Sequence, residues 1–173
     1  AVEARREKVV AYINNDESYQ YDADFNEAER YRTKGDMEKA ESLFRRSLAR
    51  QSDVPGTKMA LAGLLKKQGK IDEAKKLLRQ VVDEHPAIFP ARYNLANSYI
   101  EENNFGQVVL LLKDIYDFTP ELGETWYNYA VALIKLNRNT EAIPIMRAYI
   151  ERYQDDPTRR TIVEKFRTAL QPT

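Results

Sequence analysis

The stretch YRTKGDMEKAESLFRRSL, residues 31–48, decides how the chain is to be read, because its pieces return downstream. LLKKQGKIDEAKKLLRQVV occupies residues 64–82 and ALIKLNRNTEAIPIMRAYI residues 132–150. Each sets an aromatic residue or leucine before a polar turn, then an alanine, then apolar residues. The turn residues Gly35, Gly69, Asn103 and Asn137 follow one another at intervals of 34 positions. Small residues keep the same interval at Ala40, Ala74, Val108 and Ala142. The register also aligns Ala28, Ala62, Ala96 and Ala130, then Tyr31, Leu65, Tyr99 and Leu133, and downstream Phe44, Leu78, Leu112 and Met146.

Within each unit apolar positions recur at three- and four-residue spacing before the turn and again after it. This predicts two amphipathic helices joined by a short loop. Glycine or asparagine in the loop suits the left-handed residue that ends a helix, since neither carries the full steric cost of positive φ. The alanines let paired helices approach closely, and Pro86 and Pro120 stop a second helix where the next unit begins. Composition agrees. Only six glycines and seven prolines occur in 173 residues, and good helix formers fill the long stretches between them, so the class is all-α.

These positions resemble the tetratricopeptide repeat, whose period is about 34 residues and whose pattern runs from a large residue through leucine and a small residue to tyrosine, alanine, an aromatic and a terminal proline. The fourth unit carries it most fully, with Trp126, Tyr129, Ala130, Leu133, Ala142 and Met146, though Gln154 stands at the proline place. The third has Leu95, Ala96, Tyr99, Leu112 and Pro120, with Val108 for alanine. The second has Leu61, Ala62, Leu65, Gly69, Ala74, Leu78 and Pro86. The first has Ala28, Tyr31, Gly35, Ala40, Phe44 and Leu48, with Glu27 at the leucine place and Ser52 at the proline place. The expected organisation is four hairpins over residues 21–54, 55–88, 89–122 and 123–156. Residues 1–20 hold an N-terminal helix near 3–13 and a polar connection. Residues 157–173 are expected as a helix that caps the apolar face a stack of hairpins leaves bare.

The resemblance implies a right-handed superhelical solenoid whose concave face is lined by the first helix of each repeat and binds an extended or helical peptide. Register then selects the lining. The fifth places are Phe25, Met59, Tyr93 and Tyr127, the sixth Asn26, Ala60, Asn94 and Asn128, and the ninth Glu29, Gly63, Asn97 and Val131. An asparagine both donates and accepts, so a ladder of them can pair with a peptide backbone without reading its side chains. Phe25, Asn26, Met59, Tyr93, Asn94, Asn97, Tyr127 and Asn128 are therefore the candidate groove residues. Packing within the scaffold, or a convex interface, is the alternative for each.

Chaperone-binding members of the resembling family grip a C-terminal carboxylate with lysine and asparagine on one first helix, asparagine on the next, and lysine and arginine on the third. Here units two to four offer Met59 and Gly63, Asn94, then Glu124 and Asn128; units one to three offer Phe25, Glu29, Ala60, Pro90 and Asn94. Only Asn94 fits, so that clamp is not expected. Charge is locally uneven. Asp16, Glu17, Asp22, Asp24, Glu27 and Glu29 have no basic residue among them, whereas the second unit is rich in lysine, with Lys58, Lys66, Lys67, Lys70, Lys75 and Lys76. Either the groove is acidic at its entrance and basic along one repeat, or these are solvated faces with internal pairs such as Asp72–Lys76, worth about 0.3–0.5 kcal/mol each.

Lys+Arg and Asp+Glu number 27 each, which argues against a nucleic-acid partner. No apolar run approaches the ~18–20 residues that cross a bilayer, so no membrane insertion is expected and the chain reads as soluble. It has no cysteine, and its single histidine, His85, stands where a helix ends, in a capping role. Asp155 and Asp156 also stand at a helix boundary as caps. No metal-ligand cluster, phosphate-cradling loop or activated nucleophile can be assembled, so neither catalysis nor a cofactor is expected. The expected partner is a protein or peptide held within an assembly. Self-assembly into a homo-oligomer through repeat end faces, and a small secretion-type chaperone, are the alternatives. The chain begins with alanine, so the compartment stays open: cytoplasmic by default, bacterial periplasm if a targeting segment was removed.

Overall fold

A computed structural model describes residues 21–116 and 123–171. The helix expected near 3–13, the acidic residues Asp16 and Glu17, and Pro120 lie outside the described residues. No strand occurs among the described residues. The chain runs through α1 (Ala23–Lys34), α2 (Met37–Arg50), α3 (Pro55–Lys67), α4 (Ile71–Glu84), α5 (Phe89–Glu101), α6 (Phe105–Leu112), α7 (Gly123–Lys135) and α8 (Asn139–Tyr153). A 3-10 turn over Pro157–Arg159 then leads into α9 (Arg160–Ala169).

Four of these helices end in the same way. Gly35, Gly69, Asn103 and Asn137 hold φ of 85°, 79°, 57° and 59°. At each, two backbone N–H groups turn back onto the helix they close. Gly35 donates to Arg32 at 3.2 Å and Asp36 to Tyr31 at 3.0 Å; Gly69 donates to Lys66 at 3.0 Å and Lys70 to Leu65 at 2.9 Å. Asn103 and Asn104 repeat this on Ile100 and Tyr99, and Asn137 and Arg138 on Ile134 and Leu133. This double closure satisfies carbonyls that a helix end would otherwise leave bare. The next residue then starts the second helix: the Asp36 side chain accepts from the Lys39 N–H at 3.2 Å, and Asn104 from Gln107 at 3.4 Å.

The small residues of the register lie where helices meet. Ala28, Ala62, Ala96 and Ala130 on the first helices are buried, as are Ala40, Ala74, Val108 and Ala142 on the second. Larger residues at Phe44, Leu78, Leu112 and Met146 fill the space beside them and are buried too. Interiors packed to crystal-like density leave no room for bulk at the alanine places.

The described residues form two compact units divided between Leu95 and Ala96, within α5. In the first, α1 pairs with α2, α3 with α4, and α2 packs on α3. Val81, Ile88 and Ala91 make a small core beside Met59 and Val82. Asp24 is buried at the start of α1. It accepts from Arg46 at 2.7 and 2.5 Å and pairs with Arg50 at 2.8 Å, which ties α1 to α2.

In the second unit, α7 packs on α6 and α8, and α9 lies against both α7 and α8. Its core is aromatic. The Tyr149 ring is 5.7 Å from Trp126, 5.3 Å from Phe166 in an edge-on arrangement, and 4.7 Å from Tyr153. The helix α6 has eight residues, against 14 for α2 and α4 and 15 for α8. Turns replace it over residues 113–116 and bury Ile115. They also lay the Tyr116 ring flat on Tyr129 at 4.8 Å and edge-on to Trp126 at 5.1 Å.

Candidate binding face

In the first unit a pocket of about 240 Å³ opens between α1 and α3. Met59, Ala60, Gly63 and Leu64 form its floor, and Glu29, Arg32 and Lys67 stand around it. The floor residues share one side of α3 because the fifth, sixth, ninth and tenth places of a repeat fall on neighbouring turns. Glu29 and Arg32 neutralise each other: the Arg32 guanidinium donates to both carboxylate oxygens at 2.5 to 3.2 Å. Lys67 has no ion pair among the described residues and is exposed.

In the second unit the carboxamides of two successive first helices meet. Asn128 on α7 donates through Nδ2 to Oδ1 of Asn97 on α5 at 3.0 Å, and both side chains are half-buried. That bond uses one donor and one acceptor. The Asn97 amide N–H groups and the Asn128 carbonyl oxygen remain as hydrogen-bonding groups of opposite sense.

The other candidate residues divide. Phe25 is half-buried, stacked on Tyr21 at 3.9 Å and tilted against Phe44 at 5.6 Å, so its ring serves the first hairpin. Met59 both lines the pocket and packs on the Val81 core. Asn26 and Asn94 are exposed, and Tyr93 is half-buried. Tyr127 is engaged by the C-terminal helix: its ring lies 5.7 Å from Phe166 and 4.7 Å beneath the Lys165 ammonium.

Electrostatics follow packing. The Arg46 hydrogen bond, opposed by burial and reinforced by the charges of Arg46 and Arg50, holds the Asp24 carboxyl below the usual range. Burial pushes Glu41 up, but bonds from Lys70, Arg45 and Gln68 outweigh it and leave that carboxyl low. Lys70 meets Glu41 at 2.8 Å, and Arg45 meets both Glu41 at 2.8 Å and Glu73 at 2.6 Å, joining α2 to α4 and the turn before it. The acidic stretch near residue 24 is thus largely consumed: Asp22 caps α1, accepting from Phe25 at 2.8 Å, Asp24 is paired, and Glu29 is paired.

One constellation escaped the sequence reading. Asp53, Glu84 and His85 bring potential ligand atoms within 4.8 Å of one another, although no metal-ligand cluster was expected. Asp53 comes from the α2–α3 loop, 32 positions before His85, so no local spacing announces it. The His85 Nε2 lies 2.8 Å from the Asp53 oxygen, which holds that carboxyl below its usual range, and the buried Lys58 ammonium pairs with Glu84. A cation is already built into the cluster, which fits it for closing the turn between repeats. Among the described residues no helix is long and apolar enough to cross a membrane.

A family model described as tetratricopeptide repeat matches residues 31–96 and 67–115, and a second model of that description matches residues 123–156. The chain belongs to the tetratricopeptide repeat family. Such repeats mediate protein–protein interaction and scaffolding. Solved structures agree on the fold. MamA of AMB-1 is 19% identical with a TM-score of 0.68, covering 99% of this chain and 98% of that one. A mutant form of MamA is 19% identical with a TM-score of 0.67, covering 94% and 97%. A Podosopora anserina putative kinesin light chain with nearly identical TPR-like repeats is 20% identical with a TM-score of 0.66, covering 85% and 84%. At such identities the likeness speaks to the fold alone. No curated protein matches the chain.

Proposed function

We propose that this chain is a non-enzymatic interaction module that holds an extended or helical segment of another protein along the faces its first helices present. The observation that carries the reading is the Asn97–Asn128 bond. Two carboxamides from successive repeats orient each other on one face and leave donors and an acceptor for a peptide backbone. Mutual orientation lowers the entropy that a partner must overcome to use them. Tyr127 adds less than its register suggests, because its ring is occupied by Phe166 and Lys165. Self-stacking through the C-terminal end face is disfavoured by α9, which covers the last hairpin with Val163 and Phe166 buried.

The test is affinity capture from the source cell with wild type and with Asn97→Ala/Asn128→Ala, followed by measured dissociation constants for the retained proteins. A specific set that binds wild type and is weakened about tenfold by the double variant supports the reading. Equal retention by both proteins removes the face from consideration while leaving the fold intact.

A further inference from the structure

The pocket of the first unit contains a glycine that the fold does not explain. Gly63 lies in the interior of α3, in a run of otherwise good helix formers, at ordinary helical φ. Glycine there destabilises the helix relative to alanine. Close packing of helices is the usual reason to accept that cost, and it does not apply here. A β-carbon at Gly63 would meet nothing within 4 Å, whereas the buried neighbours Leu61, Ala62 and Leu65 are the ones that face the core. The glycine keeps open a floor that nothing else in the described chain uses. Local choices that contradict the fold without structural gain concentrate at functional sites.

Charge on the rim points the same way. The α3 sequence PGTKMALAGLLKK contains three lysines and no acid. Lys58 is buried and paired with Glu84, and Arg32 is paired with Glu29, but Lys67 at the pocket rim has no carboxylate partner among the described residues. The floor is apolar, with Met59 and Leu64 on it, and the rim carries an uncompensated positive charge.

We infer that this pocket receives a large apolar side chain of a partner segment whose neighbouring residue is acidic, with the partner backbone lying directly against Gly63. The inference rests on the groove reading above and gives it a specificity: shape from Met59, Gly63 and Leu64, charge from Lys67.

The experiment uses the full chain and a displayed library of degenerate heptapeptides, followed by fluorescence polarisation with the enriched peptides. Enriched sequences should pair a large apolar residue with Asp or Glu. Gly63→Ala should raise the melting temperature yet weaken those peptides several-fold, and Gly63→Trp should weaken them about tenfold or more with unchanged helical circular dichroism. Lys67→Glu should weaken them as well, and peptides with the acid changed to lysine should recover on that variant. Enriched peptides indifferent to Gly63→Trp, or carrying basic in place of acidic residues, overturn the inference. If such peptides are nevertheless weakened by Asn97→Ala/Asn128→Ala, the groove reading survives its loss. If no peptide is enriched, or none responds to any of these variants, both fall.

Discussion

Gly35 closes α1 in the left-handed region and Gly63 lies inside α3, so the same substitution should act on them in opposite directions. Gly35 holds φ of 85°, and a β-carbon there would meet nothing within 4 Å, so the cost of replacing it comes from the backbone alone. Gly35→Ala should lower stability by about 1 kcal/mol, read as a lower urea midpoint at unchanged slope. Asn137, at φ 59°, carries part of that cost already, so Asn137→Gly should raise stability by a few tenths of a kcal/mol, read as a higher midpoint. At Gly63 the same glycine-to-alanine change should stabilise. Stabilisation by Gly35→Ala would show that helix closure is not what the turn glycines serve.

At the scale of the helix, α9 is the element whose loss reaches furthest. Phe166 is fully buried against Tyr149 and Tyr127, so Phe166→Ala should cost about 3–5 kcal/mol. Because Tyr149 also touches Trp126, the tryptophan emission should shift to the red in the same variant; an unchanged spectrum would mean that α9 packs elsewhere. In α8, Pro144 lies inside the helix on an exposed face and removes one backbone bond, so Pro144→Ala should stabilise by about 1–3 kcal/mol in thermal melts. The helices and their closures were legible in the sequence, because a left-handed turn needs glycine or asparagine and a close helix pair needs alanine, and both recur at a fixed interval. Other features were not. The short α6 depends on where the Tyr116 ring finds aromatic partners, and the capture of Tyr127 depends on a helix some 40 positions away. The Asp53–His85 contact joins residues with no shared period, and the pocket at Gly63 is a statement about empty space, which a sequence does not write.

For the whole molecule, the two units rest on different physics, and acid should separate them. The first depends on ionised carboxylates: Asp24 bonded by Arg46 and Arg50, and Glu41 by Arg45 and Lys70. Both carboxyls titrate below their ordinary values when folded. In the unfolded chain they take up protons near roughly pH 3.9 and 4.3. Between those values and the lower folded ones the unfolded chain holds more protons, so their contribution is complete above the window and is lost as pH falls through it. The second unit also has lowered carboxyls, at Glu141 and Asp156, but these bond to Arg138 and Thr158 on the exposed surface, where solvent screens them. Its core is the Trp126, Tyr149 and Phe166 cluster, which needs no charge. Trp126 is the single tryptophan of the chain and lies in the second unit, so its emission reports that unit alone while far-ultraviolet circular dichroism reports both. On titration from roughly pH 4 downward, part of the helical signal should disappear before the Trp126 emission moves, and Asp24→Asn/Glu41→Gln should flatten that early loss. Coincident acid midpoints for the two signals would mean that the units unfold as one, and the division of charge and aromatic packing between them would have no bearing on stability.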